Sequence, residues 1–171
     1  MITRDRIRLR LYQRQAEGYL EIGLPQHALE VLNRLGDRVL RSPHALYLQG
    51  EALRSLGRFT EALGPLGQAA QAVPENVHVQ LALGWCHKRT ARLDLAIQDL
   101  ERALDVEPTD ALVHYNLACY LSLAGQRHRA LVHLSRALSL DATLRRLVDN
   151  EPDFNSLRAD PEFLSLVEMA V

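Results

Sequence analysis

The chain has 171 residues and a formal net charge of −1, with 20 Lys and Arg against 21 Asp and Glu. That length suits one compact domain or one short repeat array and excludes a large multidomain machine. With 47% hydrophobic and 24% charged residues a core is available and wholesale disorder is excluded, while Leu and Ala together fill 53 positions and aromatics only 5%, which favours helix and argues against an all-β fold.

The N-terminal stretch 1–42 holds eight Arg against five acids. Met1-Ile2-Thr3-Arg4-Asp5-Arg6 is charged where a signal peptide needs an apolar core, and no run approaches the roughly 18 apolar residues of a membrane span. No membrane insertion is expected, and the expected location is the cytoplasm. Arg6, Arg10 and Arg14 recur at i, i+4 and i+8 and form one basic stripe if a helix starts early, with Arg4 and Arg8 on an adjacent stripe. Such a stripe either receives an acidic segment or a phosphate backbone, or is a solvated helix face; without interleaved aromatics and with near-zero net charge, nucleic acid is not the expected partner.

From Leu9 onward a period of 34 residues organises the chain. Gly50 and Gly84 are one period apart, as are Ala62, Ala96 and Ala130, then Ala69, Ala103 and Ala137, then Leu66, Leu100 and Leu134, and finally Pro74 and Pro108. A fixed period of this length signals stacked supersecondary units. Four copies start near Leu9, Pro43, Val77 and Ala111. Each reads as two amphipathic helices, most plainly the second: a helix over 45–56, a turn at Gly57-Arg58, a helix over 59–73 and a close at Pro74-Glu75-Asn76, with apolar residues three and four apart. Gly23, Gly57 and Gly125 end the first helices, where a left-handed residue closes the last turn. Ala16, Gly50, Gly84 and Ala118 are small where paired helices must approach.

After the fourth copy the chain turns acidic, three Arg against seven acids over 141–171. Asp160-Pro161 reads as an N-cap followed by Pro at the first helical position, opening a helix with Phe163, Leu164 and Val167 on one side.

The repeating unit resembles the tetratricopeptide repeat, whose elements are met in this chain by Gly50, Leu53, Gly57, Phe59, Ala62, Leu66, Ala69 and Pro74. The third copy departs with His87 and Ala91, the fourth with Arg127 and Ala142, the first with Pro25. The resemblance covers about residues 9–142 and implies an all-α, right-handed superhelical solenoid. Residues 1–142 are then four repeats (about 9–42, 43–76, 77–110 and 111–142), and residues 143–171, similar to segments that often close bacterial arrays, a C-terminal helical cap.

Catalytic motifs are missing: there is no Gly-rich phosphate loop, no Gly-x-Ser-x-Gly and no His-Glu-x-x-His. No enzyme activity, cofactor or small-molecule substrate is expected. Cys86 and Cys119 show no metal spacing and are read as buried free thiols. The seven histidines fall at different helical phases in different copies, so no metal site is expected; His44 and His78 are equivalent in adjacent copies and could share a face.

The resemblance further implies that the first helices of the copies line a concave groove for an extended or helical peptide. Helical phase then places Arg10, Gln13, Arg14 and Glu17 on it, followed by His44, Tyr47, Glu51 and Arg54, by His78, Leu81, Trp85, Lys88 and Arg89, and by Tyr115, Asn116, Cys119 and Ser122. Tyr47, Trp85 and Tyr115 are the candidate anchors, because aromatics bury much area for little entropy; the competing reading packs all three between repeats. Arg10, Arg14, Glu51, Arg54, His78, Lys88, Arg89 and Asn116 would tune the surface. Glu17 and Glu51 stand where a carboxylate clamp for chaperone tails would carry Asn, which selects against a C-terminal acidic ligand. The expected function is a non-catalytic protein–protein interaction module or adaptor. Alternatives are a scaffold that self-associates head to tail through its basic start and acidic end, and a secretion-type chaperone for an exported partner.

Overall fold

The computed structural model describes residues 3–36 and 42–168, and the described residues are helical with no strand. Met1 and Ile2, the end of the first expected copy over 37–41, residues 169–171 of the expected cap, and the Arg4 side chain of the second basic stripe lie outside the described residues. The chain divides into two compact units, residues 1–90 and 91–171.

The first unit holds α1 (Thr3–Glu21), α2 (Pro25–Asn33), α3 (Pro43–Ser55), α4 (Phe59–Ala72) and α5 (Val77–Arg89). α1 starts at Thr3, six residues before the period begins, because nothing between Thr3 and Leu9 breaks a helix. α1 packs on α2 and α3, α3 on α4 and α5, and α4 on α5. Ala16, Ala28, Leu32, Ala45, Ala62, Leu66 and Cys86 are sealed in the core. Burying a Leu such as Leu66 is worth roughly 1.5–3 kcal/mol. Gly50 makes that burial possible, since a methyl group at its Cα would overlap the Leu66 side chain.

The second unit holds α6 (Leu93–Val106), α7 (Ala111–Leu123), α8 (Arg127–Leu140), α9 (Arg145–Val148) and α10 (Pro161–Glu168), with 3₁₀ turns at Ala142–Leu144 and Pro152–Leu157. α6 and α8 both pack on α7, as does the 152–157 turn. Leu117 and Leu121 on α7 and Leu131 and Leu134 on α8 are buried where these two helices pack together, and Val148, Phe154 and Phe163 are buried after them in the chain. Phe154 sets its ring 5.8 Å from Tyr115, edge to face, and 5.6 Å from Phe163. Ser122 Oγ donates to the Asp153 carbonyl at 2.8 Å, tying the turn to α7.

Two kinds of helix start alternate. Ser42, Asn76 and Asp110 cap α3, α5 and α7 by accepting the N–H of Ala45, Val79 and Val113 at 3.3, 3.1 and 2.9 Å. α4, α6 and α8 have no side-chain cap; the chain enters them from a turn residue with positive φ, at Gly57 (+74°), Ala91 (+59°) and Gly125 (+70°). At Gly57 this lets the Arg58 N–H reach back to the Leu53 carbonyl at 2.9 Å. Ala91, where the motif carries Gly, keeps the left-handed conformation at the cost of its Cβ.

The expected Asp160 cap is present: its Oδ1 accepts the Glu162 and Phe163 N–H groups at 2.9 and 3.3 Å. Arg127 pairs with the same carboxylate and lies 3.1 Å from Glu162, and the Arg127 hydrogen bond holds the Asp160 carboxyl down at about 2. The expected apolar side of α10 needs a correction. Phe163 is buried and Val167, one turn on, is half-buried, but Leu164 is 44% exposed, because neighbouring residues on a helix point about 100° apart and Leu164 falls off the core-facing side.

Candidate docking surface

The candidate surface is clearest in residues 1–90, where α1, α3 and α5 lie side by side. On α1, Arg6, Arg10 and Arg14 are exposed, so the basic stripe exists. Arg8, of the adjacent stripe, is exposed as well, and its guanidinium sits 5.4 Å from the Tyr12 ring centre and donates to the Tyr12 hydroxyl at 3.4 Å. Gln13 Nε2 donates to Ser42 Oγ at 2.7 Å, which gives it a structural task at the cap of α3. Glu17 Oε1 lies 2.5 Å from His44 Nε2, and both side chains are solvent-accessible, so the pair contributes at most about 1 kcal/mol. His44 is thereby engaged with α1, and His78 is exposed on α5.

Tyr47 is half-buried, with the His44 ring 6.4 Å away in a stacked arrangement. Burial, then the nearby Glu51 charge, pushes its hydroxyl up to about 12. Glu51 meets Arg54 in a two-pronged ion pair at 2.7 and 2.8 Å. That hydrogen bond holds Arg54 firmly charged, and the cation is committed to its own helix. Beside Tyr47 opens a cavity of about 250 Å³ between the starts of α3 and α5 and the end of α4, with Pro43, His44, Val73 and Val79 in its wall.

On α5, Trp85 is 39% exposed and Lys88 Nζ lies 5.9 Å from its ring centre. Arg89 turns away to α4, its guanidinium 4.9 Å from the Phe59 ring centre, so packing accounts for it as fully as recognition would. Cys86 is buried and its thiol pushed up to about 11 by desolvation, which leaves it an inert core group.

In residues 91–171 the corresponding side chains differ. Tyr115 is 3% exposed, edge-on to Phe154, and burial pushes its phenol up. Of the two readings of Tyr115, packing describes it, and it presents no exposed anchor. Asn116 is half-buried, and Cys119 and Ser122 are buried. Cys119, Glu151 and Asp153 bring ligand-type atoms within 4.8 Å of one another, although Cys119 and Asp153 already have interaction partners.

Helical phase alone missed one pair: His114 and His133, on the two helices of one copy, meet across the α7–α8 seam. Comparing equivalent positions of different copies cannot reveal a contact between the two halves of a single copy. The available signal was the sequence's two polar residues at one core-facing position, Gln80 and His114, a period apart.

Two family models described as tetratricopeptide repeat match the chain, one over residues 14–77 and one over residues 53–118. No curated protein sequence matches it significantly. Among solved structures, MamA from Desulfovibrio magneticus RS-1 is similar with a TM-score of 0.73 at 21% identity, covering 94% of both chains. A second MamA structure gives 0.72 at 21% identity over 79% of each chain. The structure of YrrB, described as a tetratricopeptide-repeat protein with an unusual peptide-binding site, gives 0.74 at 18% identity over 91% of this chain and 80% of its own. At these identities the likeness is one of fold.

Proposed function

The chain belongs to the tetratricopeptide-repeat family, and on that premise we propose that it is a non-catalytic protein-interaction module which docks a segment of another protein on the face formed by α1, α3 and α5. Trp85 carries the reading: a large aromatic left 39% exposed beside a cation, on a helix packed next to the one that presents Tyr47. Exposed aromatics flanked by cations are common anchors of protein interfaces. YrrB, a similar fold, is described as having a peptide-binding site, which supports peptide docking as a use of this fold.

The chemistry of the face favours a segment of mixed character. Arg54 is neutralised by Glu51 and His44 is paired with Glu17, while Arg6, Arg10 and Arg14 on α1 are exposed. An apolar side chain seated by Trp85 and Tyr47, with an acid toward α1, meets those groups. Four repeats over 1–142 and a cap over 143–171 form part of the proposal, supported by the burial of Val148, Phe154 and Phe163 after the last repeat helix. The head-to-tail scaffold is less well supported, since Asp160 and Glu162 at the acidic end pair with Arg127 of the same chain.

The test captures partners from native lysate with the wild-type chain and with a Tyr47→Ala/Trp85→Ala variant of equal helicity. A defined protein held by the wild type and lost by the variant supports the proposal. Equal retention by both, or retention only of further copies of this chain, contradicts it.

A further inference from the structure

His114 on α7 and His133 on α8 bring their Nδ1 atoms to 2.9 Å, with ring centres 5.1 Å apart. The other nitrogen of His114, Nε2, lies 3.1 Å from the Pro108 carbonyl. A carbonyl only accepts, so Nε2 carries the proton and Nδ1 turns its lone pair toward His133. An outer N–H held by a backbone carbonyl is the support that metal-binding imidazoles ordinarily have, since it fixes the tautomer and strengthens the inner nitrogen as a donor.

The residue one period earlier separates this from a purely structural task. Gln80 donates its Nε2 to the Pro74 carbonyl at 3.1 Å, as His114 does to Pro108. Holding that loop needs a single donor, which Gln supplies; His114 adds a second nitrogen directed at another imidazole. His133 is half-buried and open to water on one side. Around it stand Arg129 and Glu101, paired with each other. Burial first, then the nearness of His114 and Arg129, lowers its pKa, which favours the neutral ring. With bonds of about 2.0–2.1 Å, two nitrogens on adjacent positions of one ion sit roughly 2.9–3.4 Å apart; the two Nδ1 atoms are already at 2.9 Å but face each other head-on in a hydrogen bond, so the rings need only tilt toward the open side to share an ion.

We infer that His114 and His133 form a clamp across α7 and α8 for a divalent transition-metal ion of the zinc, nickel and copper class, both ligating through Nδ1 with water on the open side. His133 then carries its proton on Nε2. A ligand set of imidazoles without thiolate suits these ions over magnesium or calcium.

The test uses the full chain stripped with a chelator and then titrated with Zn²⁺, read by calorimetry and by thermal unfolding. One Zn²⁺ binds per chain and raises Tm, as a ligand of the folded state must. His114→Gln and His133→Gln each weaken binding at least tenfold and abolish the rise in Tm, while His44→Gln changes neither. His114→Gln keeps a donor for the Pro108 carbonyl, as Gln80 does for Pro74, so it separates loss of a ligand from loss of fold and decides alone if His133→Gln does not fold. Zn²⁺ binding that is absent, that survives in His114→Gln, or that disappears with His44→Gln or Cys119→Ser instead overturns the inference.

Discussion

Tyr47 and Tyr115 hold the same position of the repeat, two periods apart, yet one borders an open cavity and the other is sealed. Tyr47 begins its helix beside the space between α3, α4 and α5. Tyr115 lies under Phe154, carried by the 152–157 turn, with Phe163 of α10 behind it. The position itself dictates neither outcome; the segment that comes next along the chain does. A repeat succeeded by another repeat leaves this edge open, and the last repeat is covered by whatever closes the unit. The proposed docking chemistry accordingly falls to residues 1–90, where Tyr47 borders the cavity, while Tyr115 serves the packing of its own unit.

The largest expected effect tests the sealed side. Phe154→Ala removes a fully buried ring that touches both Tyr115 and Phe163, and a loss of about 3–5 kcal/mol is expected in chemical denaturation. A loss below about 1 kcal/mol, the range of surface changes, would show that the cover is loose and that Tyr115 is available after all. Next, Gly50→Ala forces a methyl group against the sealed Leu66 side chain. It is expected to destabilise by roughly 1–3 kcal/mol in the same measurement. A smaller gain is expected from Ala91→Gly, about 1 kcal/mol, because glycine relieves the positive φ of that turn; a rise in Tm checks it.

The pH dependence sharpens the contrast between the seam and the surface. His133 has a lowered pKa in the folded chain, so the unfolded chain takes up the proton first as pH falls. The stability it contributes is complete above its unfolded pKa, about 6.5, and is lost as pH drops through the folded value. Denaturation curves between neutral and mildly acid pH should show a fall for the wild type that is reduced in His133→Gln. The open side should lose less than the sealed one: Trp85 is 39% exposed and only partly covered, so Trp85→Ala is expected to cost about 1–2 kcal/mol in the same denaturation measurement, well below the loss at Phe154.

Much of the fold is legible from spacing because the period repeats the same physical demands. The left-handed turns at Gly23, Gly57 and Gly125, the small residues at Ala16, Gly50 and Ala118, and the Asp160 cap all arise from local backbone needs that residue type reveals. Helical phase likewise places Trp85 and Lys88 side by side on one helix. What phase cannot supply is the partner of each side chain. Arg89 reaches Phe59, Gln13 reaches the Ser42 cap, Tyr115 meets Phe154, and His114 meets His133. Each is a contact between elements whose relative rotation is set by packing, and rotation of one helix by a fraction of a turn changes every such pairing while leaving the pattern of apolar residues intact.

The most direct test of docking through residues 1–90 is site-specific photo-crosslinking, with a photoreactive phenylalanine analogue placed either at Trp85 on α5 or at the exposed Val132 on α8, in chains expressed in their native cell. Crosslinks from position 85 to a defined second protein are expected, with none to it from position 132. Equal crosslinking from both positions, or crosslinks from position 132 alone, would contradict a docking face on α1, α3 and α5.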